Sequence, residues 1–142
     1  MASGWTNRGA YTMVGYYFRA ETIETTFTLY LLNAIPDADD NVFTDLTEAS
    51  NYDGEQTINR NSTDFDTYTE DDTGDTGYVQ LKDIVFTASG GTCTTTYAAL
   101  LDGNATENSR LVIAFFDLGA TQNIPDTSTL TLQDLQLTGS NV

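Results

Sequence analysis

Val79-Gln80-Leu81-Lys82-Asp83-Ile84-Val85-Phe86 alternates like a strand, but its apolar phase slips: Val79 and Leu81 share one face, Ile84 and Phe86 the other. Leu130-Thr131-Leu132-Gln133-Asp134-Leu135-Gln136-Leu137 slips the same way, from Leu130 and Leu132 to Leu135 and Leu137. Side chains alternate with period two along a strand, so a spacing of three would flip the buried face. A bulge or a change of partner sheet avoids the flip, and either predicts a bend at Asp83 and at Asp134. The near-repeat is read as a shared structural device, not as a duplicated site.

Around these two segments, strands are expected at 78–88, 94–101, 110–117 and 129–138. Turn signals separate them at Ser89-Gly90-Gly91, at Asp102-Gly103-Asn104, and from Gly119 to Asp126 with Pro125. Upstream, Thr26-Phe27-Thr28-Leu29-Tyr30-Leu31-Leu32 alternates as a half-buried strand with Phe27, Leu29 and Leu31 inward, and Pro36 follows its end. Residues 37–77 form a long acidic excursion, with short strands expected near 55–60 and 63–69. Residues 9–20 place Tyr11 or Ala10, Met13 or Val14, and Tyr17 or Phe18 at three-to-four spacing, which predicts a helix capped by Asn7. The aromatic weight leaves a strand as the alternative there. The expectation is one mainly β domain over 1–142, an antiparallel β-sandwich of jelly-roll-like form. It has an N-terminal arm and helix at 1–25, a long acidic loop region at 37–77, and main strands at 78–138.

The 142 residues carry 21 acids, five bases and no histidine, for a net charge of −16. Arg8, Arg19, Arg60, Lys82 and Arg110 are scattered, whereas a nucleic-acid surface clusters its cations to displace phosphate counterions. Neither nucleic acid nor an anionic membrane is expected as a partner. The N-terminal stretch lacks the apolar region of a signal peptide, and no run approaches the ~20 apolar residues of a spanning helix. Synthesis in a cytoplasm is the expectation.

Candidate chemistry is sparse. Without histidine, a Ser–His or Cys–His nucleophile is excluded, and the usual zinc ligand sets go with it. Gly90-Gly91 lacks any phosphate-loop pattern. The lone Cys93 reads as a small strand or turn residue. For two-carboxylate chemistry the best candidates are Asp83 and Asp134, although solvent-facing bend residues are the simpler reading. A calcium loop is suggested by Asp37, Asp39, Asn41, Asp45 and Glu48, which fall at positions one, three, five, nine and twelve of an EF-hand-like spacing. Val42 occupies the position where that loop needs glycine, and no helix leads into it. The acids from Asp64 to Asp75 read as a solvated loop. No catalytic residue and no cofactor are assigned.

Threonine supplies 25 residues, joined by eight Tyr and seven Phe. Sheets of this kind with acidic loops suit assembly interfaces or carbohydrate contact, and exposed edges favour oligomers. Several stretches then fall in a suggestive order: Asn7-Arg8-Gly9, Leu29-Tyr30-Leu31-Leu32, Asp45-Leu46-Thr47-Glu48, Tyr97-Ala98-Ala99-Leu100-Leu101-Asp102, Leu111 through Gly119, and the closing Leu-Thr-Leu strand. In that order the chain resembles small virion proteins of tailed bacteriophages. The acidic 64–75 segment and the early aromatic cluster depart from that pattern. The resemblance implies a structural role in the virion, foremost a capsid decoration (cement) protein on the outer capsid. A tail, collar or fibre-associated protein is the alternative, beside a carbohydrate- or host-surface-binding module. It also implies the major capsid protein or another virion protein as partner, a homo-oligomer (trimer or other), and no catalytic motif.

Overall fold

A computed structural model describes residues 4–140. Among them the chain is mainly β: β1 Gly4–Trp5, β2 Thr26–Leu32, β3 Gln56–Asn59, β4 Thr69–Asp71, β5 Thr76–Gln80, β6 Ile84–Thr87, β7 Cys93–Asp102, β8 Val112–Ile124, β9 Thr129–Leu132 and β10 Gln136–Ser140, with one α-helix, α1 Asn7–Arg19. All the strand pairings are antiparallel. A five-stranded sheet runs β1-β8-β7-β2-β3, and β5 lies between β4 and β10, while β6 pairs with β9.

The two slipped segments prove to be each other's partners. Gln80 faces Gln136 in one ladder and Ile84 faces Leu132 in the next, and between them Leu81 N–H donates to Leu135 O at 2.8 Å. One register therefore runs through both ladders, and 76–87 and 129–140 form a single ribbon that kinks halfway. Each expected strand is accordingly two: 78–88 is β5 and β6, and 129–138 is β9 and β10. The kink is cross-braced. Gln80 Nε2 donates to Asp134 Oδ1 at 2.8 Å, and Gln133 Nε2 to Asp83 Oδ2 at 3.0 Å. Asp134 takes a left-handed backbone (φ 57°), a conformation that Asp tolerates better than most residues. The reversal of phase brings Leu81, Ile84, Phe86, Leu132 and Leu135 into one core.

That core also receives Leu29, Leu31, Ala98, Leu100 and Phe116 from one face of the five-stranded sheet. The opposite face gathers Tyr30, Leu32, Ala99, Leu101 and Val112 beneath Phe43 and Leu46 of the excursion. With both faces covered, Leu29 to Leu32 are fully buried, so β2 is not the half-buried strand its alternation predicts. Alternation tracks one wet face, and here neither face is wet.

β8 and the excursion also differ from expectation. β8 does not stop at 117 but continues to Ile124. Its pairing slips between Thr95–Gln122 and Tyr97–Asp117, so β8 bulges where Gly119 (φ 82°) was read as a turn. In the excursion β3 lies where a strand was expected, but the next strand begins only at Thr69. Asp64 Oδ2 accepts both Asn59 N–H (2.6 Å) and Asn59 Nδ2 (2.8 Å), which bends the chain between them. The acidic 64–75 run is thus partly a hairpin, β4 to β5, with Glu70, Asp71, Asp72 and Asp75 exposed.

Candidate functional site

The N-terminal helix begins two residues before the expected 9–20 span. Its cap is Thr6, not Asn7, and Gly9 N–H donates to Thr6 Oγ1 at 2.9 Å. The same hydroxyl donates to Val112 O at 2.6 Å, so one side chain ends the arm, starts the helix and ties both to β8. Asn7 is the first helical residue; its N–H donates to Ala38 O at 2.8 Å and its Nδ2 to Asp39 Oδ1 at 2.6 Å. Before the helix, Trp5 pairs with Ala114 and its Nε1 donates to Thr138 O at 2.8 Å. The helix is therefore held at its base from three sides.

Its packing inverts what the apolar spacing suggests. The residues buried against the sheet are small, Gly9 and Thr12. A Cβ on Gly9 would lie 1.9 Å from Ile113 O, so the helix backbone sits directly on β8. The large side chains face outward: Tyr11 is 72 % exposed, Val14 58 %, Tyr17 84 % and Phe18 74 %. Spacings of three and four put 11, 14 and 18 on one stripe, with Tyr17 beside it. The Tyr17 and Phe18 rings meet edge-on at 5.0 Å, and the Arg8 guanidinium stands 5.5 Å from the Tyr11 ring centre. The helix contains Arg8 and Arg19 and no acid. A rigid, cationic, aromatic face left in water is the most distinctive surface on the molecule.

A second arrangement joins distant segments under the excursion. Arg110 Nη1 pairs with Glu55 Oε1 at 2.9 Å and also donates to Tyr30 Oη, while its Nε donates to Asn104 O at 2.9 Å. Tyr30 Oη donates in turn to Glu107 Oε1 at 3.0 Å, and the Tyr30 ring packs 4.7 Å from Phe43. The Arg110 hydrogen bond holds the Glu55 carboxyl below the usual carboxylate range, while burial and then Glu107 push the Tyr30 phenol up. Nearby, Tyr52 Oη donates to Glu48 Oε1; desolvation raises the Glu48 carboxyl despite that bond. Among the described residues no buried side-chain donor or acceptor lacks a partner, which suits a brace between β2, the start of β3 and the β7–β8 connection. The sequence carried no signal for it: Arg110 was one of five scattered cations.

These carboxylates act oppositely on stability. Glu48 binds its proton more readily folded than unfolded, so its ionisation weakens the fold as pH rises through the normal Glu range and above it. Glu55 does the reverse, and its contribution is lost as pH falls below that range. Glu55 therefore steepens the loss of stability to urea on the acid side, and Glu48 the loss on the neutral side. Glu48→Gln should flatten the decline toward neutral pH while leaving the acid limb intact; an unchanged neutral limb would refute the assignment.

The calcium candidates are not drawn together. Asp37 Oδ1 accepts Asp39 N–H at 2.9 Å, and Asp39 Oδ1 takes Asn7. Asn41 Oδ1 accepts Arg8 Nε at 3.3 Å, and Asp45 Oδ2 accepts the N–H groups of Asn41 and Val42 at 2.9 and 3.0 Å. Glu48 turns away to Tyr52, on a segment bridged to Leu32. Backbone N–H groups, an amide, a guanidinium and a phenol thus each take an oxygen of the residues an EF-hand would use, and among the described residues no group of three or more acidic or Cys side chains could hold a metal ion. Asp83 and Asp134 are exposed and braced by glutamines, as bend residues are. Cys93 is fully buried, and burial pushes its thiol up, away from the reactive thiolate.

An open cleft of about 620 Å³ lies between β8 and the β9–β10 arm of the ribbon, lined by Trp5, Leu118, Gln122, Leu130, Gln133 and Gln136 among others. In comparisons with known proteins, no family model, curated protein or solved structure matches the chain.

Proposed function

We propose that this chain is a structural component of a bacteriophage virion, foremost a capsid decoration protein seated on the outer capsid, with a tail, collar or fibre position as the alternative. The observation that carries the assembly role is the outward aromatic face of α1, fixed at its base yet uncovered. Large apolar patches on a rigid element are stable in water only at a cost, and they mark surfaces that another protein covers. The phage setting rests on the resemblance of the ordered sequence stretches. The acidic exterior supports an outer position, because packaged DNA repels it and a basic shell surface would attract it.

The reading includes no catalytic role, and it takes the five-stranded sheet and the kinked ribbon facing it as the two layers of a jelly-roll-like sandwich. Mass spectrometry of purified particles is expected to find the chain at a fixed copy ratio to the major capsid protein. Absence from washed particles would overturn the proposal.

A second reading is favoured by the cleft, which sets Trp5 among three glutamines in a volume typical of small-ligand sites. Glycan-array binding that Gln133→Ala abolishes would support carbohydrate recognition there.

A further inference from the structure

Given that the α1 face is an assembly surface, the charge distribution says what covers it. Residues 1–20 contain Arg8 and Arg19 and no acid. Residues 21–142 hold all 21 acids and the other three bases, a net of −18. The helix is thus a small cationic island on a strongly anionic body. We propose that its occupant is a second copy of this chain, docked head-to-tail, so that the aromatic and arginine face of one protomer rests on the acidic surface of the next.

Other occupants meet the same charges less well. An amphipathic helix with aromatic and basic residues can lie on an anionic membrane, but the −18 body behind it would be repelled. An isologous dimer, helix against helix, would set four arginines together with no acid between them. Head-to-tail contact places both arginines on acids. Arg8 already leans toward the loop through Asn41, whereas Arg19 has no ion pair among the described residues and stands ready for a carboxylate. The exposed β4–β5 tip shows that acid-dense surface is available: Glu70, Asp71, Asp72 and Asp75 all face solvent.

The size of the face also has a consequence. Three aromatic rings of ~150–250 Å² each, about three-quarters exposed, offer roughly 450 Å². That falls short of the ~800 Å² per partner of a standard interface, so the ground beside the helix must contribute too. A heterologous contact leaves a free helix and a free acidic surface at the ends of every chain of copies, and it closes only as a ring. The expected particle is a trimer or larger, not a dimer.

Sedimentation equilibrium of the full chain tests this. In low salt at ~100 μM, a concentration that populates complexes of micromolar Kd, a species larger than a dimer is expected. It should dissociate as ionic strength rises and screens the contact. Tyr17→Glu with Phe18→Glu, on an exposed face, should leave the circular dichroism unchanged and yield a monomer, and Arg19→Glu should weaken association about tenfold or more. A wild-type monomer, assembly that survives the double substitution, or a dimer strengthened by salt would overturn the proposal. So would α1-dependent binding to phosphatidylglycerol vesicles by a chain that stays monomeric. A chain monomeric in solution but present in particles would reject this inference alone, whereas an oligomer absent from particles would reject only the virion reading.

Discussion

Gly9→Ala is expected to destabilise the protein by about 2–3 kcal/mol, against the usual sign of that substitution in a helix. Alanine normally gains about 1 kcal/mol over glycine in a helix interior, because less backbone freedom is lost on folding. At Gly9 the added methyl would sit 1.9 Å from Ile113 O, a backbone atom in a paired strand that cannot swing aside. The helix must lift from β8, which strains the Thr6 cap and its bond to Val112 O. Gly15 provides the control on the same helix. A Cβ there meets only Glu21 Cγ at 3.6 Å, an ordinary contact, so Gly15→Ala should stabilise by about 0.5–1 kcal/mol. Urea titrations of the two variants should move in opposite directions, and amide exchange over residues 7–19 should quicken only in Gly9→Ala. Equal stabilisation by both would show that the helix does not sit on the sheet.

Arg110→Leu is expected to cost about 3 kcal/mol. The guanidinium is largely buried and serves three acceptors from three segments: Glu55, Tyr30 and Asn104. Leucine would fill part of the space but leave the Glu55 carboxylate unpaired beside a buried sheet face. Removing one partner of such a pair costs more than the pair itself contributes, and the partial exposure of Glu55 holds the figure to the lower end. The pH profile should respond as well. Glu55 sits below its ordinary range because of Arg110, so its contribution is present at neutral pH and is lost as pH falls through the acid limb. In Arg110→Leu that limb should flatten. Arg110→Lys should restore charge but not the three-way geometry, and so recover only part of the loss. If Arg110→Leu unfolds at the wild-type urea midpoint with an unchanged acid limb, the brace has no energetic role.

How much of this was readable depends on the range of the interaction. The span of β2 was legible, though not its double burial, because a single alternating run bounded by a proline segment encodes a strand locally. The bends at Asp83 and Asp134 were legible too, since a phase slip in a period-two pattern is itself a local signal. That the two bends oppose each other was not, because register between segments fifty residues apart leaves no mark on either. Gly119 misled for a physical reason: a left-handed glycine serves a bulge as well as a turn, and only the partner strand distinguishes them. At the helix the spacing located the element but did not say which way its stripe would face. Periodicity locates an apolar stripe, but here Gly9 and Thr12 allow an approach that larger side chains would forbid, and the stripe is left outside. The brace around Arg110 combines residues from four separate segments, none of which forms a motif alone.

The kinked ribbon bears on the order in which the chain can fold. β7 and β8 are neighbours in sequence and share the longest ladder, so their hairpin can form early at little loss of chain entropy. The ribbon arms flank that hairpin, 76–87 before it and 129–140 after, and can meet only once it has brought them together. Their single register then leaves one way to close, because a slip by one residue in either arm would turn both halves of its apolar set outward. Ribbon closure is thus a late, non-local and register-sensitive event, the kind that slows β-rich folding. Until it happens, the core face of the hairpin remains open to any other strand that comes within reach.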